Sequence, residues 1–163
     1  MPLNFELLWN NYPTPKQYGH SQLFDYLGWE DLKDNPAYEN TCAIRMSLCL
    51  IKSGVAFPGR MRIKKGPYKG HLIEPGQVHL TQLLMSPHIL GKPEKLTIDT
   101  RDKVLEDRQG IVSFMGIPGY VVDGHLSGHI DLVRHGKFLF FFDTLKCADA
   151  CYWNAAEYLF WEI

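Results

Sequence analysis

The spacing of apolar residues predicts helices in the first half of this chain. Apolar side chains fall on one face of a helix near the N-terminus, over residues 3–11. A run of helix-forming residues begins at Cys42 and continues to about Ser53. Gly54 follows it, where a left-handed C-terminal cap is expected. Leucines on one side of residues 79–85 predict a further helix. The pattern therefore places Cys42 in the first turn of a helix.

After residue 110 the pattern changes to short apolar runs that predict β-strands. The predicted strands cover residues 111–115, 129–134 and 137–143. His135 and Gly136 would form the tight turn of a hairpin between the last two strands. The aromatic side chains of residues 152–163 are expected to dock on the core. Helices followed by an antiparallel sheet indicate an α+β fold, and the length fits a single domain spanning residues 1–163.

Two stretches are predicted to be irregular. Residues 12–36 are rich in turn-forming residues, and no helix is predicted there. Residues 60–71 are basic and are interrupted by glycine and proline. The basic run at residues 60–65 is interpreted as part of a solvated loop, with a patch that attracts a carboxylate-rich ligand as the alternative.

Composition and charge exclude several classes of protein. Hydrophobic residues make up 45% of the chain and charged residues 21%, as in an ordinary globular protein. The net charge of −1 gives no reason to expect a nucleic-acid partner. No apolar run approaches the ~20 residues that span a bilayer, so no membrane insertion is expected. The N-terminus lacks a basic region and a cleavage site, which predicts synthesis in the cytoplasm without a signal peptide.

Cys42 is the first candidate for chemistry. Asn40 or Thr41 can cap the helix, which leaves Cys42 beside unpaired backbone N–H groups at the positive end of the helix dipole. Such a position is expected to lower the thiol pKa from about 8.5 toward neutrality. The same N–H groups could hold a tetrahedral oxyanion. Cys42 is therefore a candidate nucleophile, and the alternative is a small buried residue on a core helix.

His129 is the candidate general base for Cys42, because it follows Gly128 at the start of a half-buried strand. The alternative is a hydrogen-bonded histidine that only supports the sheet. A third group must orient the imidazole. Three carboxylates could do so. Asp131 is expected on the same strand face as His129 by the period-two rule, but the pattern alone does not choose among Asp131, Asp143 and Asp149.

Zinc binding is a competing interpretation of the histidine-rich segment. Four side chains could supply ligands: Asp123, His125, His129 and Asp131. However, His125 and His129 lie four residues apart in a glycine-containing stretch, not on a helix, so they need not converge. The pattern therefore favours a site without a metal.

The cysteines carry information about the working compartment. Cys42 and Cys49 share a helix and would lie about 10 Å apart along its axis, beyond the ~7 Å limit for a disulfide. Cys147 and Cys151 lie four residues apart in a short turn and can meet. A disulfide there implies an oxidising compartment. Without a signal peptide, this suggests export by a route that does not read an N-terminal signal.

Three separated motifs together resemble the type VI secretion amidase effectors of family 4. They are Asn40–Ser47 (NTCAIRMS), Gly128–Leu132 (GHIDL) and Cys147–Cys151 (CADAC). The resemblance implies a papain-like fold related to NlpC/P60 peptidases, with the nucleophile helix packed on an antiparallel sheet. It implies cleavage of peptidoglycan peptide stems at the γ-D-glutamyl–diaminopimelate bond, in the periplasm of target bacteria. It also implies delivery by the type VI secretion apparatus and a cognate immunity protein as partner.

The resemblance also assigns roles to residues. Cys42 is the nucleophile, His129 is the base, and the Cys-x-Asp-x-Cys loop selects Asp149 as the orienting carboxylate, with Cys147 and Cys151 as its disulfide. The stretch between His129 and Asp149 is longer than the family pattern, so Asp143 and Asp131 stay open. No cofactor and no metal are required. The alternatives are a deamidase or transglutaminase-type toxin acting on protein glutamine, and a non-catalytic, disulfide-stapled wall-binding module.

Overall fold

The computed structural model describes residues 3–122, 124–140 and 154–163. Its α-helices are α1 (Phe5–Asn11), α2 (His20–Leu27), α3 (Cys42–Lys52), α4 (Gln77–Leu84) and α5 (Arg101–Asp107). Two short 3-10 helices, Glu30–Leu32 and Pro36–Tyr38, lie between α2 and α3. Its strands are β1 (Met61–Arg62), β2 (Leu72–Ile73), β3 (Glu94–Leu96), β4 (Gln109–Met115), β5 (Val121–Val122), β6 (His125–Leu126), β7 (His129–Arg134), β8 (Lys137–Phe138) and β9 (Glu157–Glu162).

A five-stranded sheet forms the centre of the fold, in the order β3-β9-β4-β7-β8. Every pairing in it is antiparallel. The strand β7 pairs along its length with β4, so that His129 lies opposite Phe114 and Asp131 opposite Val112. Two small hairpins, β1–β2 and β5–β6, lie outside the main sheet. The predicted α+β fold is confirmed, and the C-terminal strand β9 lies between β3 and β4 as an interior strand of the sheet.

The helix α3 is the most deeply buried helix among the described residues. Every residue from Cys42 to Ile51 is buried, because α3 packs against β7, α1 and α4. The helix ends as predicted, with Gly54 in the left-handed region at φ 88° just beyond its last turn. This burial fixes the start of α3 against the sheet, where the first residue of β7 is His129.

Two α-helices, α2 and α5, are present where the sequence pattern predicts none. The helix α2 lies inside the stretch predicted as turns, and glycines mark both of its ends. Gly19 is its N-terminal cap, and its N–H donates to Gln22 Oε1 at 2.8 Å. Gly28 caps the other end at φ 77°.

Among the described helices, none has both the length and the apolar character of a membrane-spanning segment.

Candidate active site

Cys42 is the first residue of α3, as the sequence predicts. Thr41 occupies the N-terminal cap position, but its side chain makes no capping hydrogen bond. Asn40 takes that role instead, because its Oδ1 accepts the Cys42 N–H at 3.1 Å. The backbone donor that we expected to be available to an oxyanion is therefore already engaged in this structure.

The Cys42 thiol is completely buried and lies against the backbone on both sides of His129. Its Sγ is 3.9 Å from Gly128 O, and the Ile130 N–H is directed toward it and lowers its pKa. Burial acts in the opposite direction and is the larger effect, so the pKa of the Cys42 thiol rises to about 12. The expected lowering of this pKa is wrong for this structure, because loss of solvation outweighs the helix terminus.

Gly128 lies in a space that admits no side chain. A Cβ atom at this position would be 2.4 Å from Gln77 Oε1 and 2.4 Å from Phe114 O. Gln77 is itself fixed, because its Nε2 donates to Ser113 Oγ at 2.6 Å. Glycine is therefore required before His129 because two neighbouring groups approach the backbone closely.

Two aromatic rings enclose the imidazole of His129, which is only 1% exposed. The ring of Phe114 on β4 stacks with it at a centroid distance of 6.0 Å and an angle of 12°. The ring of Phe140 meets it edge-on at 5.0 Å. Rings on two sides restrict rotation of the imidazole, so its nitrogens point in fixed directions.

Asp131 holds one of those nitrogens. Its Oδ2 lies 2.9 Å from His129 Nε2, and the carboxylate is fully buried. The Leu132 N–H donates to Oδ1 at 2.8 Å, and the Phe140 N–H donates to the same carboxylate at 3.0 and 3.1 Å. These backbone donors compensate a buried negative charge. The period-two rule that placed Asp131 on the same strand face as His129 is confirmed.

Four residues of the predicted triad and disulfide lie outside the described part of the chain. They are the carboxylates Asp143 and Asp149 and the cysteines Cys147 and Cys151. Asp149 as the orienting carboxylate and the Cys147–Cys151 disulfide therefore stay predictions. Cys42 and Cys49 are both free thiols, which confirms that they are not bonded to each other.

The described residues contain no candidate zinc site, because no three of their His, Cys, Asp or Glu side chains lie close enough together to hold a metal. His125 is exposed on β6, whereas His129 and Asp131 are buried on β7. The fourth candidate ligand, Asp123, lies outside the described residues.

Arg45 supports the site, and its role was missed by the sequence analysis. It is 2% exposed, one turn after Cys42. Its guanidinium donates to Thr41 Oγ1 at 2.9 Å and to the carbonyl oxygens of Pro13 and Tyr18 at 3.0 and 2.7 Å. It also lies 5.6 Å from the centre of the Phe140 ring. A charged residue between apolar residues of the predicted helix was the available signal, because a buried cation needs such acceptors.

Solved structures of other proteins share the fold of this chain. The crystal structure of the type VI effector–immunity complex Tae4–Tai4 from Enterobacter cloacae has a TM-score of 0.73 at 20% identity. That match covers 100% of this chain and 99% of the other. The effector–immunity system Tae4/Tai4 from Salmonella typhimurium has a TM-score of 0.76 at 15% identity, covering 100% and 99%. At these identities the likeness concerns the fold.

The sequence itself matches a family model. No curated protein matches the chain in sequence. The family model described as type VI secretion system (T6SS), amidase effector protein 4, matches residues 38–161, which is more than half of the chain and includes Cys42, His129 and Asp131. The chain therefore belongs to the family of type VI secretion system amidase effector protein 4.

Proposed function

We propose that this amidase effector is an antibacterial cysteine amidase that hydrolyses peptidoglycan peptide stems at the γ-D-glutamyl–diaminopimelate bond. One observation carries the cysteine chemistry: the thiol at the start of α3 lies against the backbone on both sides of His129. A cysteine at a helix start beside a strand histidine supports acyl transfer, because an adjacent base can activate the thiol as a nucleophile. The same arrangement supports a papain-like fold related to NlpC/P60 peptidases, which we propose together with the activity.

In the proposed mechanism, Asp131 accepts the Nε2–H of His129, which leaves Nδ1 as the nitrogen that takes the thiol proton. Cys42 then attacks the amide carbonyl carbon and forms a tetrahedral intermediate. Protonated His129 donates to the leaving amine, and water hydrolyses the resulting thioester with His129 again as base. No cofactor enters any of these steps.

The high thiol pKa determines when the nucleophile forms. With the pKa of Cys42 raised to about 12 by burial, almost no thiolate exists at neutral pH in this state. The proton must therefore move to His129 as the substrate binds. The substrate oxygen would also have to replace Asn40 Oδ1 as acceptor of the Cys42 N–H before that N–H could stabilise the oxyanion.

The third residue has two candidates. The family resemblance selects Asp149, whereas the geometry of the described residues favours Asp131, whose carboxylate already accepts from His129 Nε2. One N–H makes one strong hydrogen bond, so the two carboxylates cannot both hold Nε2 at once. We assign the orienting role to Asp131 and keep Asp149 as the candidate against which it is tested.

The proposed function includes delivery of the protein to target bacteria and protection by an immunity protein. The chain would be made in the cytoplasm, delivered by the type VI secretion apparatus, and act in the periplasm of target bacteria. There the thiols of Cys147 and Cys151 would form their disulfide. The solved relatives from Enterobacter cloacae and Salmonella typhimurium are complexes with an immunity protein, Tai4. A cognate immunity protein is therefore the expected partner of this chain.

The test is digestion of purified peptidoglycan sacculi followed by mass spectrometry of the soluble fragments. We expect fragments cut between D-glutamate and diaminopimelate with the wild-type protein, and none with Cys42→Ala. Intact sacculi together with a deamidated or cross-linked protein glutamine would identify a toxin that modifies proteins. Binding to sacculi without cleavage would identify a wall-binding module.

A further inference from the structure

Asn40 connects the start of the cysteine helix to the segment that leads into the histidine strand. Its Oδ1 accepts the Cys42 N–H at 3.1 Å. Its Nδ2 donates to Ser127 Oγ at 2.8 Å and to Gly128 O at 3.0 Å. One side chain thus uses its acceptor on the residue proposed as nucleophile and its donors on the two residues that precede His129.

These contacts fall where the start of α3 meets the start of β7. Gly128 O, which accepts from Asn40, is also the carbonyl oxygen 3.9 Å from the Cys42 thiol. Gln77 and Phe114 occupy the space beside Gly128, since a Cβ atom there would lie 2.4 Å from Gln77 Oε1 and from Phe114 O. Asn40 therefore ties the turn before α3 to a backbone position beside which neighbouring groups leave little space.

We propose that Asn40 is a positioning residue that sets the distance and direction between the Cys42 thiol and the imidazole of His129. This inference rests on the proposed function, since it concerns the transfer of the thiol proton to that imidazole. Asn40 also makes a side-chain hydrogen bond to the Cys42 thiol, which lowers the pKa of that thiol. It therefore holds the thiol directly as well as through the backbone of Cys42 and Gly128, and a displacement of about 1 Å between reacting groups can cost about a hundredfold in rate.

Asn35 offers a matched control five residues earlier in the chain. Its Oδ1 accepts the N–H of Ala37 at 3.0 Å, the same two-residue side-chain-to-backbone bond that Asn40 makes to Cys42. Asn35 is exposed and its bond stays within the 3-10 turn at Pro36–Tyr38. Asn35→Ala therefore removes a comparable turn bond without touching the connection between the two catalytic elements.

The experiment measures kcat, KM and the pH profile of stem-peptide hydrolysis, with thermal unfolding as a check on folding. Asn40→Ala should lower kcat about tenfold to a hundredfold with little change in KM, while Asn35→Ala keeps wild-type kcat. Asn40→Asp keeps the acceptor for the Cys42 N–H but loses both donors, so kcat should fall here also. If Asn40→Ala fails to fold, Asn40→Asp carries the test.

The pH profile separates positioning from a purely structural loss. When the thiol no longer passes its proton to His129, it must ionise alone, so the activity of Asn40→Ala should keep rising above pH 8 where the wild type is level. Unchanged or raised kcat in Asn40→Ala would overturn the inference, as would an equal fall in Asn35→Ala. If Cys42→Ala digests sacculi as well as the wild type, the proposed function fails and this inference fails with it. If digestion requires Cys42 but kcat is unchanged in Asn40→Ala, this inference is wrong and the proposed function stands.

Discussion

His129 and Asp131 form a buried pair on one strand, with Nε2 of the imidazole 2.9 Å from Oδ2 of the carboxylate. Their side chains share a face because they are two residues apart on β7. The carboxylate is fixed in turn by the N–H groups of Leu132 and Phe140. Because a carboxylate oxygen accepts, the pair keeps a proton on Nε2 of His129.

This pair gives the first prediction. Asp131→Asn keeps the shape of the side chain but removes its charge, and its amide can present a donor to Nε2, which stabilises the wrong tautomer. We expect kcat on stem peptides to fall roughly 10³–10⁴-fold, as when the acid of a catalytic triad is replaced by its amide.

Asp149→Asn is the matched comparison, assayed on the same substrate and checked for folding by circular dichroism. If Asp131 orients the imidazole, Asp149→Asn should lower kcat much less than Asp131→Asn does. If kcat collapses in Asp149→Asn and stays nearly normal in Asp131→Asn, the third residue is Asp149, between Cys147 and Cys151. Cys42 and His129 would keep their roles.

The second prediction separates the two thiols of α3. Cys42→Ala should abolish hydrolysis and leave the fold intact. Cys49→Ala should keep most of the activity, because Cys49 lies two turns further along the helix, with its Sγ donating to Leu8 O at 3.1 Å. Loss of that contact and of buried volume should lower the free energy of unfolding by about 1–2 kcal/mol. Sacculus digestion and urea unfolding measure the two effects, and abolished activity in folded Cys49→Ala would contradict the assignment.

The sequence predicted the parts of the site that follow from periodicity. The start of α3 at Cys42 and the shared strand face of His129 and Asp131 are both found in the structure. The strand predicted over 111–115 is found as β4, two residues longer at its start. These features depend on local apolar patterns, which are visible without knowing what packs against them.

Other features depend on contacts that no local pattern contains. The helix α5 was missed because it is short and Leu105 is its one buried residue, so it has almost no apolar periodicity. The thiol pKa was predicted in the wrong direction, because the helix start is visible in the sequence and the burial of Cys42 is not. The role of Asn40 depends on Ser127 and Gly128, which are more than 80 residues away in the chain.

The third prediction concerns the glycine before the histidine. Gly128→Ala would place a methyl group 2.4 Å from both Gln77 Oε1 and Phe114 O, so the start of β7 must move. We expect a loss on the order of 1–3 kcal/mol in unfolding free energy. Activity should fall further than this destabilisation explains, since His129 moves with the strand.

Gly19→Ala is the control for that substitution. Gly19 has an ordinary negative φ of −60°, and an added methyl group would lie 3.4 Å from Gln22 Oε1, close to normal contact. It should cost less than about 1 kcal/mol and leave kcat unchanged. Wild-type kcat in Gly128→Ala would show that the position of β7 tolerates the displacement.

The fourth prediction concerns stability at alkaline pH. Burial raises the pKa of the Cys42 thiol from 9.0 to about 12, and it also raises the pKa of the buried Cys49 thiol. Between about pH 9 and pH 12 the unfolded chain therefore loses protons that the folded chain keeps. Folding stability must then fall as pH rises, by up to about 1.4 kcal/mol per pH unit for each thiol.

Urea unfolding of reduced protein at intervals between pH 8 and pH 10 measures this slope. Below pH 8 both states keep the thiol protonated, and the contribution of Cys42 to the slope vanishes. Cys42→Ala should show a shallower fall than the wild type above pH 9, and so should Cys49→Ala. The range stops at pH 10 because burial also raises the pKa of Tyr12, whose phenol adds its own dependence at higher pH. Equal slopes in the wild type and Cys42→Ala would mean that the thiol is as well solvated in the folded protein as in the unfolded chain. The proposed transfer of its proton to His129 on substrate binding would then be unnecessary.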